Sequence, residues 1–554
     1  MTRSAARLLV DCLAEQGCDR VFTVPGESFL AVLDALLDRP EIHVVSCRHE
    51  SGAAFMACAD GALNAAETGR PGIAFVTRGP GAANASIGVH VAFQDSQPMI
   101  LFVGDVARDA RGREGFQEVD LPAIFTPLAK WAARIDDARR IPEYVARAFA
   151  TAISGRPGPV VLALPEDMLR ETVEAAPRPF VQRPAQAPRP EALAAIMALL
   201  RGAAAPVAIV GGAGWGAPAR QHFARFAERL GLPVATAFRR QDALDPGSPV
   251  YAGNLGYGPS PKLVERIRSA DLILAVGARL GEATTEGYTL PTPDHPGQTL
   301  VHVHSDPGEL NRVYRADLAI CAGPDEFAES AARWDHGPVV PSGAGGEAHR
   351  EWLEWSDPRG GGRFALDLAE CLVIARRLLP ADTIVCNGAG NFSGWWHRYW
   401  RYHGFPSQLA PTAGAMGYGL PAAVAAALRY PERTVLAVAG DGDFLMSVQE
   451  LATAAQQGCN LIVIVIDNGS YGTIRMHQEL SFPGRVSATN LTNPDFAALA
   501  RAFGGCGERA ETTAQFAQAL AKAASGRSVR LLHCLTDIEQ LSAAGVTVSG
   551  LRAR

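Results

Sequence analysis

The chain has 554 residues and a net charge of −6, with a pI near 6.1. That balance argues against a general electrostatic grip on nucleic acid. Hydrophobic residues make up 48% and charged residues 19%, which excludes a self-repelling disordered polymer. One hydrophobic core does not serve a chain this long, and about three or four domains are expected.

Residues 1–16 place Arg3, Arg7, Asp11 and Glu15 among Leu8, Leu9 and Leu13. This predicts an amphipathic helix, not a signal peptide with a continuous apolar centre. The longest apolar run, Leu461 to Ile466, reads as one buried strand. It is far from the roughly 18 residues of a membrane span. The ten cysteines are scattered without a C-x-x-C pair, as expected of reduced, mostly buried thiols in a cytoplasmic protein.

Two Pro/Gly-rich stretches, 176–190 and 334–347, read as extended linkers. They divide the chain into domains at 1–175, 190–333 and 350–545. In each, short apolar runs alternate with alanine-rich helical patterns. The first block carries VFTV (21–24), HVVSC (43–47), GIAFVT (72–77), MILFVG (99–104) and PVVLAL (159–164). The second carries PVAIVGG (206–212), PVATA (233–237), DLILAVG (271–277) and LVHVH (300–304). The third carries TIVCN (383–387), TVLAVAG (434–440), LIVIVID (461–467) and VRLLHC (529–534). Strands this apolar, separated by helices, predict three doubly wound α/β domains with parallel sheets covered on both faces. Ligands in such sheets sit beyond the carboxyl ends of the strands.

In the first block Glu50 follows the strand HVVSC and opens the pattern GAAFMACADGAL. Locally this is an acid in a first helical turn, where it complements the helix dipole. In the second block GGAGWG (211–216) follows a strand but lacks G-x-G-x-x-G spacing. His302 and His304 point to one face of a strand; without further ligands they read as core histidines before zinc ligands. In the third block TVLAVAG runs into GDGDFLMS (440–447), and after a helix at 448–457 LIVIVID ends in DNGSYG (467–472). Singly, GDGD and DNG read as turns. Together, one after each apolar strand, they make a sharper pattern. Gly440 and Gly442 let backbone amides approach phosphate oxygens. Asp441, and Asn468 27 residues later, offer hard oxygens to a divalent cation such as Mg2+.

A GDG followed by about 25 residues and an Asn resembles the fingerprint of thiamine-diphosphate-dependent enzymes, and GDGDFLMSVQELATA is similar to its acetolactate synthase version. The family usually ends the motif in Asn-Asn; here it is Asp467-Asn468. The resemblance runs in order along nearly the whole chain. It takes in VPGES (24–28), RHE-x-GAA-x-MA (48–57), RGPGAANASIGVHVAFQDSQPMI (78–100), GFQEVD (115–120), GAGN (388–391) and GAMGYGLPAA (414–423).

The resemblance implies pyrimidine-binding, central and diphosphate-binding domains, with thiamine diphosphate and Mg2+ as cofactors. Asp441, Asn468 and the backbone carbonyl of Ser470 would bind the metal. Gly26, Gly390, Asn391, Gly440, Gly442, Asp443, Tyr471 and Gly472 would contact the cofactor, and Met416, otherwise ordinary core filling, would wedge it into a bent shape. Glu50, as a buried carboxyl, would share a proton with the aminopyrimidine, so that the C2 ylide forms, adds to a 2-oxo acid and, after loss of CO2, leaves an enamine for a carbonyl acceptor. Phe93, Gln117, Glu27 and His477 would line the substrate pocket. A homo-oligomer, dimer or tetramer, with shared sites is implied, without nucleic acid or membrane as partner.

Three departures bear on the acceptor. Pro165-Glu166-Asp167 stands for a family Pro-Lys-Asp, Glu27 for a glycine, and His477 for a pocket tryptophan. They leave a 2-oxo acid decarboxylase, an aldehyde lyase or a flavin-linked oxidase as alternatives to a carboligase. GAR (277–279) resembles part of a flavin-binding segment, while GNLGYG (253–258) replaces another, so FAD stays an open alternative. A non-catalytic partner subunit is disfavoured by the intact Glu50, Asp441 and Asn468.

Overall fold

The computed structural model describes residues 2–553 except 66–67, 295–296, 335–342 and 359–361. It contains three six-stranded sheets in which every strand pairing is parallel. The three α/β domains expected from the sequence are therefore present. Among the described residues no helix is long and apolar enough to cross a membrane.

The first sheet runs His43–Ser46, Arg20–Thr23, Gly72–Thr77, Met99–Asp105, Pro159–Pro165, Trp131–Arg134. The third runs Gln408–Leu409, Ile384–Asn387, Val435–Gly440, Leu461–Asp467, Val529–Leu535, Cys506–Ala510. In chain order within each sheet both read 2-1-3-4-6-5. The middle sheet runs Tyr251–Asn254, Val234–Thr236, Pro206–Val210, Leu272–Val276, Thr299–His304, Leu318–Cys321, which reads 3-2-1-4-5-6. Central strands such as Leu461–Asp467 and Met99–Asp105 are buried along their whole length, as sheets covered on both faces require. In each sheet the order reverses beside the first strand. In sheets of this kind the neighbouring loops diverge at such a point and ligands bind there.

The helix Glu50–Ala65 sits at the centre of the first unit. Nearly every side chain on it is buried, so it is enclosed on all sides rather than amphipathic. It lies close to its neighbours because the contacts are between small residues. A Cβ on Gly88 would come within 2.4 Å of Ala54 Cβ, and one on Gly72 within 1.9 Å of the Ala57 carbonyl oxygen. The helices Gly419–Arg429 and Glu450–Gln456, from the third block of the sequence, pack with it in one compact unit. That unit comprises Met1–Pro184, Pro411–Tyr430 and Ser447–Cys459; Ala185–Ala410, Pro431–Met446 and Asn460–Arg554 form the other.

The segment from Glu174 to Arg189 carries no helix or strand, as its prolines predict. The second expected linker differs. Residues 335–342 lie outside the described residues, but Ala344–Trp355 is a helix. Its Trp352 ring packs edge-on against Tyr251 at 4.5 Å, so this segment covers the middle sheet. Gly345 serves that packing: a Cβ there would meet Val250 Cγ1 at 2.7 Å and the Gly231 carbonyl oxygen at 2.9 Å.

Candidate active site

Two groups of side chains stand out, one in each compact unit. In the second unit, parallel pairing of Val435–Gly440 with Leu461–Asp467 puts Gly440 beside Ile466 and brings both motif loops to one sheet edge. Asp441 opens a short helix, Asp441–Leu445. Asp441 Oδ2 accepts the backbone N–H of Ser470 at 3.2 Å, and Asn468 Oδ1 accepts the same N–H at 3.1 Å. The two oxygens expected to hold a metal therefore converge on one residue. Gly442 faces the Tyr471 ring, where a Cβ would meet Cε1 at 2.4 Å; Gly472 leaves space that a Cβ would fill 2.9 Å from Asn468 Nδ2. Across the switch point, Ala389 N–H donates to Asp443 Oδ1 at 3.4 Å, and Thr473 Oγ1 accepts from Asn391 N–H at 3.0 Å. Asp443 and Thr473 thus fix the 388–391 loop. Gly390 lies against Phe392, whose Cε1 a Cβ would approach to 2.7 Å.

In the first unit, Glu50 is half-buried at the start of its helix. The Asn84 amide donates to Glu50 Oε2 at 2.9 Å, and a Cβ on Gly81 would stand 3.6 Å from Oε1. The expectation of a buried carboxyl is thus met only in part within one chain, because the helix start leaves one side of Glu50 uncovered. Gly26 packs against Thr77, whose Cβ a Cβ there would meet at 2.3 Å. Met416 is 37% exposed. That removes the core-filling reading, since an apolar side chain at a loop tip fills no core.

Three family models match the chain in succession. They are the thiamine pyrophosphate enzyme N-terminal TPP binding domain at residues 3–124, the central domain at 193–330 and the C-terminal TPP binding domain at 388–534. The acetolactate synthase large subunit of Parasynechococcus marenigrum is 33% identical over 529 residues, covering 91% of this chain and 82% of that protein. The acetolactate synthase isozyme 2 large subunit of Escherichia coli is 31% identical over 546 residues, covering 96% of each. The chain belongs to the thiamine pyrophosphate enzyme family. It is an acetolactate synthase-like enzyme dependent on thiamine diphosphate.

The residues present fit that cofactor. Two hard oxygens beside glycines that clear the way for a phosphate suit a metal–diphosphate. Two residues that sequence reasoning missed complete the cluster. The Asn493 amide donates to Asp441 Oδ2 at 2.7 Å and to Asp467 Oδ1 at 2.8 Å. His533 Nε2 lies 2.8 Å from Asp467 Oδ2. Burial raises the Asp441 carboxyl, opposed by the Asn493 amide and reinforced by the neighbouring Asp467. At Asp467 burial is outweighed, chiefly by the His533 hydrogen bond, and the carboxyl is held below its usual range. The His533 pairing accounts for the acid where the family has its first asparagine. Asn493 stands in TNPDF, ahead of the helix cap Asp495, and reads as an ordinary turn.

Of the expected pocket residues in this thiamine pyrophosphate enzyme, Gln117 has φ +64° and its carbonyl accepts the N–H of Gly79 at 3.0 Å. Phe93 packs beneath the Arg156 guanidinium, 4.9 Å from its ring centre. Glu27 is 66% exposed and His477 is exposed on the helix Gly472–Ser481.

The middle domain carries the segments that leave FAD an open alternative. At its switch point a Cβ on Gly212 would come 2.0 Å from the Gly277 carbonyl oxygen, so the two loops touch. Buried Trp215 donates its indole N–H to the Gly211 carbonyl at 2.8 Å within the first of these loops. The adjoining cavity, lined by Arg279, Tyr288, His302, Glu309 and Arg312, is about 90 Å³, well under the roughly 300 Å³ of small ligand sites. At the switch point of the middle sheet the two loops thus lie against each other. His302 Nε2 lies 2.8 Å from the Ala278 carbonyl oxygen and His304 Nδ1 accepts the Asp306 N–H at 3.0 Å. Burial lowers both imidazoles, His304 to about 4. Among the described residues no group of three or more His, Cys, Asp or Glu could hold a metal, and the pair belongs to the core.

Proposed function

We propose that this protein is a carboligase that takes a 2-oxo acid as acyl donor and a second carbonyl compound as acceptor, with thiamine diphosphate and Mg2+ as cofactors. The observation that carries the reading is the convergence of Asp441 Oδ2 and Asn468 Oδ1 on the Ser470 N–H at the ends of adjacent parallel strands. Asp441, Asn468 and the Ser470 carbonyl would hold the metal, and with Gly440 and Gly442 would seat the diphosphate. The bound cofactor supplies a carbon nucleophile and an electron sink for the carbonyl carbon that loses CO2.

Glu50 holds and returns a proton at the aminopyrimidine ring nitrogen, the task of a positioned acid–base group. Asn84 keeps its Oε2 in place for that exchange. Met416, exposed in a single chain, would brace the cofactor in the orientation its chemistry needs. A half-buried Glu50 and an exposed Met416 support a site completed by a second copy of the chain, hence a homo-oligomer.

The purified protein, given thiamine diphosphate, Mg2+ and a panel of 2-oxo acids, should release CO2 and form a new C–C bond. Free aldehyde as sole product would instead mark a simple decarboxylase. No CO2 from any 2-oxo acid would overturn the reading.

A further inference from the structure

Two of the sequence departures, Glu27 and Glu166, are 139 positions apart in the chain yet meet on one side chain. The Arg78 guanidinium donates through one terminal nitrogen to Glu27 Oε1 at 2.9 Å and through the other to Glu166 Oε2 at 2.8 Å. Arg78 is 8% exposed, and its Nε–H has no hydrogen-bond partner among the described residues. It opens the helix Arg78–Asp95 with φ +33°, a conformation that a bulky side chain adopts only when its surroundings impose it. On this same first stretch of helix, Gly81 and Asn84 border Glu50, and Gly79 is bonded to Gln117. The exposed Phe116 ring lies 5.9 Å from the guanidinium carbon.

We infer that Glu27, Arg78 and Glu166 form a charge filter beside Glu50 that selects an uncharged aldehyde, rather than a second 2-oxo acid, as acceptor. The inference rests on the carboligase reading above. Two carboxylates on one guanidinium leave a net charge of −1, and both terminal nitrogens of the cation are engaged. A 2-oxo acid acceptor keeps its carboxylate throughout the reaction. Here that carboxylate meets two acids that repel it, and the Arg78 guanidinium beside them is already paired with both, a form of selectivity by rejection. An aldehyde presents no such charge. In the reaction proposed, the bond between the donor's carbonyl carbon and its carboxylate breaks and CO2 leaves. The donor's carbonyl carbon bonds to the aldehyde carbon, and the aldehyde oxygen takes one proton. The product is a 2-hydroxy ketone.

The test is a competition. Holoenzyme with thiamine diphosphate and Mg2+ receives pyruvate as donor, with acetaldehyde and pyruvate competing as acceptors, and acetoin is measured against acetolactate. Acetolactate is analysed before it can decarboxylate. Both products share one donor step, so their ratio reads the acceptor alone. Wild type should favour acetoin. Glu166→Lys should move the ratio toward acetolactate by about tenfold, the scale of one repulsive contact exchanged for an attractive one. Glu27→Gln, a milder change that guards against misfolding in the first variant, should move it the same way by less. Ratios unchanged in both folded variants, or a wild type that favours acetolactate, would overturn the filter while leaving the carboligase reading intact. No CO2 release from any 2-oxo acid would overturn both.

Discussion

The Asn493 amide is shared between Asp441 and Asp467, so its removal leaves both carboxylates without a donor they hold in common. Groups that orient ligands from behind typically cost 10- to 100-fold in metal affinity when lost. Asn493→Ala should therefore weaken Mg2+-dependent cofactor binding by about tenfold or more, read by calorimetry, with the fold unchanged by circular dichroism. Glu50 contrasts with it. It is held by Asn84 within the other compact unit. Glu50→Gln should keep cofactor affinity near that of wild type and lower turnover by about 10²–10⁴-fold, as loss of an acid–base group does. Normal C2 proton exchange in that variant would remove Glu50 from the role.

At the scale of elements, the helix that presents Glu50 is fixed at its start by a side chain distant in sequence. Glu450 is fully buried, and its carboxylate accepts the backbone N–H groups of Arg48 at 3.2 Å and His49 at 3.0 Å. Thr453 Oγ1 donates to it at 2.6 Å, and burial raises its pKa. Glu450→Ala would strand both N–H groups beneath the helix. It should destabilise the protein by about 1–3 kcal/mol per stranded donor, measured by denaturant titration. In the sequence Glu450 is one more polar residue of a helical stretch, because the backbone groups it serves lie some 400 positions earlier. The same distinction governs the strands. Central strands such as Gly72–Thr77 and Leu461–Asp467 announce themselves, since burial on both faces forces an unbroken apolar run. Trp131–Arg134, Tyr251–Asn254, Leu318–Cys321, Gln408–Leu409 and Cys506–Ala510 are sheet edges that the pattern passes over. In Cys506–Ala510 only the last residue is buried, and Trp131–Arg134 is half-buried throughout, so neither needed an apolar run to pair.

Taken as a whole, the chain repeats one strand order in its first and third sheets and places its candidate site residues just past the carboxyl ends of strands in each. Motif residues such as Asp441, Asn468 and Glu50 are legible in the sequence because they follow apolar strands at those points. Ion pairs and amides that join distant segments, such as Arg78 with Glu27 and Glu166, emerge only once the strands are ordered side by side. Cofactor binding is expected to run through a metal held at Asp441, Asn468 and Ser470. Titrating thiamine diphosphate into the metal-free protein, with Mg2+ or with excess chelator, tests it most directly. Binding should saturate with Mg2+, and should be lost both in chelator and in Asp441→Ala with Mg2+ present. Equal affinity with and without chelator would contradict it.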